Sequence, residues 1–218
     1  MKKFLLAILI MVASLPAVSQ DIFDSGDNKP YFGARLGLDI SCPGGWKVNK
    51  MSLDLYDSGA GFDLGAVYNI PLWKNLYFEP GLSIYYNTQG YDIGVSGDDS
   101  ELVDADASLR RFGFRIPFQV GYRFDFNPVK LYFATGPVLS VALVGKDYLK
   151  NNITGETSSV SCFDNLNRVD LGWKFALGAI YDRYLFQLSV TPGMLDMAKS
   201  DNASYHDCNV ALTLGYNF

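Results

Sequence analysis

One histidine and three cysteines stand among the 218 residues of this chain. A single imidazole leaves no material for a histidine-rich metal centre and little for a His-activated nucleophile, so no metal or cofactor is expected. Charge is sparse as well: 18 basic and 23 acidic side chains give a net charge of −5. Nucleic acid is bound through clustered Lys and Arg, so it is excluded as an expected partner. Beyond residue 19 there is no run of about 18 apolar residues, which excludes a membrane-spanning helix. What the chain does have is apolar and aromatic bulk, 49% hydrophobic residues with 15 Phe, 14 Tyr and 21 Gly, enough for one folded domain.

The N-terminus has the layout of a secretory signal peptide over 1–19. Lys2 and Lys3 form its basic start, Phe4 to Val12 its apolar stretch, and Ala17-Val18-Ser19 a small-x-small cleavage site. Residues 20–30 then form a periplasmic N-terminal segment, and the folded domain spans 31–218.

Two-residue alternation dominates that domain. From Arg111 to Phe124 one face carries Phe112, Phe114, Ile116, Phe118, Val120, Tyr122 and Phe124, and the other Arg111, Gly113, Arg115, Pro117, Gln119, Gly121 and Arg123. The same pattern marks strands over 31–41, 61–70, 76–87, 130–143, 168–181, 184–192 and 207–218, eight in all. The face opposite the large apolar residues is rich in Gly, Ala, Ser and charge. Small residues interleaved with charges suit the crowded lumen of a narrow barrel, which leaves the aliphatic and aromatic face for lipid. Open sheet edges cannot be satisfied in hydrocarbon, so the sheet has to close.

Connections alternate between short (71–75, 125–129, 182–183) and long and polar (42–60, 88–108, 144–167, 193–206). This is the asymmetry of an all-β, eight-stranded antiparallel transmembrane β-barrel of the outer membrane, with short periplasmic turns and long extracellular loops. Residues 51–55 alternate out of phase with 62–70, which predicts a bulge or break at Gly59 and Gly61. Tyr31, Trp73, Tyr77, Phe124, Phe126, Tyr181, Tyr184 and Phe218, near strand ends, are expected to form an interfacial girdle.

The last strand, Asn209-Val-Ala-Leu-Thr-Leu-Gly-Tyr-Asn-Phe218, ends in an aromatic with another two residues before it. This is similar to the terminal signal read by the outer-membrane barrel assembly machinery. Together with the signal segment, Tyr31-Phe-Gly-Ala-Arg-Leu-Gly-Leu38 and Arg115-Ile-Pro-Phe-Gln-Val-Gly-Tyr122, it resembles the PorT-like outer-membrane β-barrel family common in Bacteroidota. The resemblance covers nearly all of the chain after the signal and implies a fold and a cell outer membrane location. It implies no catalytic residues, because the family is functionally mixed and includes a secretion-system component.

Residues with chemical potential are few. Ser204, His206 and Asp207 are the one combination that could serve as a nucleophile, base and orienting carboxylate, yet they are nearly contiguous in an expected loop. Asp98, Asp99, Glu101, Asp104 and Asp106 make an acidic loop, and Asp104-x-Asp106-x-Ser108 copies the start of a calcium loop. The copy then fails, with Leu109 where a Gly is needed and Arg115 where a Glu is needed. Nine inward charges, Arg35, Asp39, Asp63, Glu79, Arg111, Arg115, Arg123, Asp170 and Lys174, are of both signs and should pair, since an unpaired buried charge is costly.

Among the cysteines, Cys42 follows the first strand and Cys208 begins the last, and barrel closure makes those strands neighbours. A Cys42–Cys208 disulfide is expected there, with reduced thiols or pairing through Cys162 as the alternatives. The expected role is that of a non-enzymatic scaffold presenting extracellular loops. Its expected partners are outer-membrane lipid, the assembly machinery and an extracellular or envelope protein. A small channel or transporter, or an envelope secretion-system component, is the alternative role.

Overall fold

A computed structural model describes residues 29–44, 46–48, 51–53, 57–91, 105–151, 157–200 and 203–218. The expected signal segment, most of 20–30, and the acidic loop apart from the backbone of Asp106 lie outside these residues.

Eight long strands form the barrel: β1 (Tyr31–Ser41), β2 (Gly59–Trp73), β3 (Leu76–Tyr91), β4 (Ala105–Phe126), β5 (Val129–Asn151), β6 (Val169–Tyr181), β7 (Tyr184–Pro192) and β8 (Cys208–Asn217). Each pairs antiparallel with its successor, and β1 pairs with β8, so the sheet closes on itself. Among the described residues no helix is long and apolar enough to cross a membrane.

Three connections tighten to two residues: Lys74-Asn75, Asn127-Pro128 and Asp182-Arg183. Lys74 (φ 51°) and Asp182 (φ 53°) adopt the left-handed conformation that matches a two-residue turn to the twist of its strands. At the other end β4 and β5 run on for 22 and 23 residues, well past the expected strands. A short strand, Thr157–Ser161, pairs with the outer part of β5, and Trp46–Val48, Met51–Leu53 and Ala203–Ser204 make a separate three-stranded sheet.

The alternation resolves as expected. Leu36, Leu38, Phe62, Leu64, Leu82, Phe118, Leu177, Phe186, Leu188 and Leu214 all lie exposed on the outer face, while Arg35, Asp39, Glu79, Arg111 and Gln119 are buried inside. A belt of exposed aliphatic and aromatic side chains around a polar interior is the inverse of a water-soluble core and suits a lipid solvent.

The structure decides two further expectations. Of the bulge or break expected at Gly59 and Gly61, the break is what forms: β2 begins at Gly59, Met51–Leu53 belongs to the separate three-stranded sheet, and the β1–β2 register runs through Gly59, Ala60 and Gly61 without a shift. Register shifts occur elsewhere, between β2 and β3 at Pro71 and Trp73, and between β4 and β5, where Phe112 faces Val144 and Gly113 faces Ala142, passing over Leu143. Leu143 and Val144 are both exposed as a result, and beyond them the in-and-out phase of β5 is reversed. Tyr31 and Tyr77, assigned to the girdle, are instead buried in the lumen: both occupy odd positions on strands whose odd positions face inward. Trp73, Phe124, Phe126, Tyr181 and Tyr184 do lie exposed on the outer face near the turns.

Candidate functional site

The lumen is filled in three tiers. At the turn end, Tyr77 and Tyr132 meet edge to face, 6.5 Å between ring centroids, and pack with Ala134, Ala176, Ile180 and Leu185. The rings fit because their neighbours lack side chains. A Cβ on Gly121 would come within 2.3 Å of Tyr77, and one on Gly178 within 2.5 Å of Tyr132. The Arg123 guanidinium lies 4.3 Å from the Tyr77 ring and donates to the Tyr31 hydroxyl at 2.6 Å. Tyr132 Oη donates to Gln187 Oε1 at 2.9 Å.

The middle tier holds most of the charge. Arg35 lies 3.5 Å from Glu79 and donates to Asn217 Oδ1 at 3.0 Å, while Asn69 donates to Glu79 at 3.0 Å. Arg115 pairs with Asp39, lies 3.6 Å from Asp63 and stacks 4.4 Å from the Tyr85 ring centroid. A cavity of about 70 Å³ remains, lined by Arg35, Asp39, Asp63, Glu79, Arg115, Asp170 and Lys174 among others. Such a space has room for several water molecules among polar groups.

At the loop end Arg111 pairs with Asp207, which also accepts from Gln89 Nε2 at 3.1 Å. Gln89 in turn accepts from the Tyr205 hydroxyl at 3.3 Å. Above them Cys162, Phe163, Leu166, Met197 and Tyr205 pack onto Leu109 and Ala142 as an apolar lid. Backbone bonds from Asn167 N to Met197 O (2.8 Å) and Lys199 N to Asn165 O (2.9 Å) tie the two covering loops together, and one from Met197 N to Tyr205 O (2.8 Å) closes the second loop on itself.

Burial, helped by nearby Asp147, pushes the Cys162 thiol up to about 11. Asp196, in the loop after β7, is opposed by slight desolvation, but its carboxyl is held below the ordinary value by the N–H groups of Tyr205 and Ala198.

All nine of the charges singled out in the sequence point into the lumen. Seven surround the cavity, Arg111 lies above it and Arg123 below it at the turn end. Asp207 was the partner missed. It sits on the same parity as Asn209, Ala211 and Thr213 of β8, and that parity was the signal that could have found it. The Ser204, His206 and Asp207 combination does not assemble: His206 is exposed, Asp207 is buried on Arg111, and Ser204 lies against Asp196. Among the described residues no group of three or more His, Cys, Asp or Glu side chains could hold a metal ion.

A family model described as an outer membrane protein beta-barrel domain matches residues 25–199. No curated protein matches. Among solved structures, Neisserial surface protein A is 14% identical, with 87% of this chain and 97% of that chain covered and a TM-score of 0.42. Ail of Yersinia pestis, in complex with the heparin analogue sucrose octasulfate, is 18% identical over 87% of this chain and 99% of that one, with a TM-score of 0.44. OprG from Pseudomonas aeruginosa is 13% identical over 88% and 98%, with a TM-score of 0.47.

Proposed function

The chain belongs to the outer membrane protein beta-barrel domain family and is an integral protein of the outer membrane, and from this premise we propose that it is a non-catalytic, non-conducting scaffold whose loops are its working surface. The observation that carries the reading is the filling of the lumen. Tyr77 and Tyr132 obstruct the turn end, ion pairs cross the middle, and Phe163, Leu166, Met197 and Tyr205 cover the loop end. An ion would have to displace buried charge pairs and a packed apolar lid to pass.

The loop end faces the cell exterior in this reading, because long connections lie on the extracellular side of such barrels and short turns on the periplasmic side. Residues 1–19 act as the export signal, and β8, with Tyr216 near its end and Phe218 just after it, is the strand recognised by the assembly machinery. Kinship to the PorT-like barrels of Bacteroidota rests on 31–38, 115–122 and 209–218. The partner is an extracellular or envelope protein that docks on the loops.

Reconstitution in planar bilayers tests the proposal. The expected record shows no unitary conductance at neutral pH. Steady, reproducible steps would favour the rival reading, in which the cavity between Arg115 and Lys174 is a constriction in a narrow polar pore.

A further inference from the structure

The junction of β1 and β8 is the one place in the barrel where strands distant in the chain are neighbours. Its ladder does not stop where β1 ends. Ser41 faces Asn209, the Cys42 N–H then donates to Cys208 O at 2.7 Å, and the Gly44 N–H to His206 O at 3.0 Å. Cys42 and Cys208 are therefore directly opposite. Ser41 and Asp207, the residue before each cysteine, are buried in the lumen, so alternation sends both cysteines to the outer face, Cys42 exposed and Cys208 half-exposed. Directly opposite residues of an antiparallel ladder have their Cα atoms about 4.5–5.5 Å apart, inside the range of about 4.4–6.8 Å that a disulfide spans.

The third cysteine is set apart. Cys162 is fully buried beside Phe163 and Gly145 of β5, and β5 lies four strands from β1 around an eight-strand barrel. Burial also keeps its thiol protonated at neutral pH, which makes it a poor nucleophile for disulfide exchange.

We propose that Cys42 and Cys208 are a disulfide site that staples the closing seam of the barrel at its loop-end rim. Both thiols lose their protons, one S–S bond forms, and the two electrons pass to the active-site disulfide of an envelope thiol–disulfide oxidoreductase, which leaves as a dithiol. A cell envelope outside the cytoplasm sustains such chemistry. The bond fixes the backbone next to Asp207, and so fixes the partner of Arg111 at the top of the lumen. The proposal does not depend on whether the lumen conducts.

Non-reducing peptide mapping of the full chain purified from outer membranes, with thiols blocked during extraction, is the test. The expected map joins the Cys42 and Cys208 peptides and shows Cys162 alkylated only after unfolding. C162S is expected to retain the link. In a gel that separates folded from heat-unfolded barrel, a reductant is expected to lower the unfolding temperature of the wild type and to leave C42S unchanged. A linked peptide containing Cys162, or three free thiols after the folded protein is equilibrated with oxidised glutathione, overturns the proposal.

Discussion

Asp207 shows how much of the lumen can rest on one carboxylate. It accepts from Arg111, from Gln89 and from the N–H of Cys208, and both members of its ion pair are only 5% exposed at the side chain. Removing it strands a buried guanidinium without its counter-charge. Asp207→Ala is expected to cost about 3–5 kcal/mol, the range for breaking a buried pair from one side. Combining it with Arg111→Met is expected to recover most of that loss, because no unpaired charge remains. Urea titration of the refolded protein in lipid vesicles, followed by the fluorescence of its three tryptophans, measures both. Equal destabilisation of the single and double variants would mean that the pair matters through packing and not through charge.

At the scale of elements, the strands were legible because period two survives burial in lipid as well as it does in water. The spacing of Phe112 through Phe124 needed no tertiary information to give β4 its faces. What escaped was local. The bulge at Leu143 and Val144 leaves no mark beyond two adjacent apolar residues, a pattern that a regular strand end also produces. The lid escaped because Phe163, Leu166, Met197 and Tyr205 come from two separate loops, and their contact depends on how those loops fold over the rim. Of the lumen, the charges could be read from parity, but their pairing could not, since Arg35 meets Glu79 across two strand boundaries.

The lid also has a pH limit. The Asp196 carboxyl, held below its ordinary value by two backbone N–H donors, adds stability above about pH 4, the unfolded-state value, and loses it as pH falls through the folded-state value. Amide exchange over 193–206, corrected for its intrinsic pH dependence, is expected to rise on acidification in the wild type. In Asp196→Ala it is expected to be high already at neutral pH. A protected loop in that variant would remove Asp196 from the account.

For the whole molecule, the alternation of two-residue turns with long connections makes orientation testable. A protease-cleavage tag inserted at Gly155, which lies outside the described residues, is expected to be cut on intact cells, and one inserted at Asn127 is expected to be protected. The opposite pattern would invert the barrel in its membrane.

The lumen network also bears on the order in which the strands can enter the bilayer. Arg111, Arg115 and Arg123 all lie on β4, while the carboxylates that pair with the first two lie on β1, on β2 and beside β8. A β4–β5 hairpin entering hydrocarbon alone would carry three guanidiniums without those acceptors, at a steep cost per charge. Insertion one hairpin at a time is therefore the expensive route. The ion pairs favour a crossing in which the two ends of the chain are already close, so that β1 and β8 bring acceptors to arginines that lie between them in the sequence.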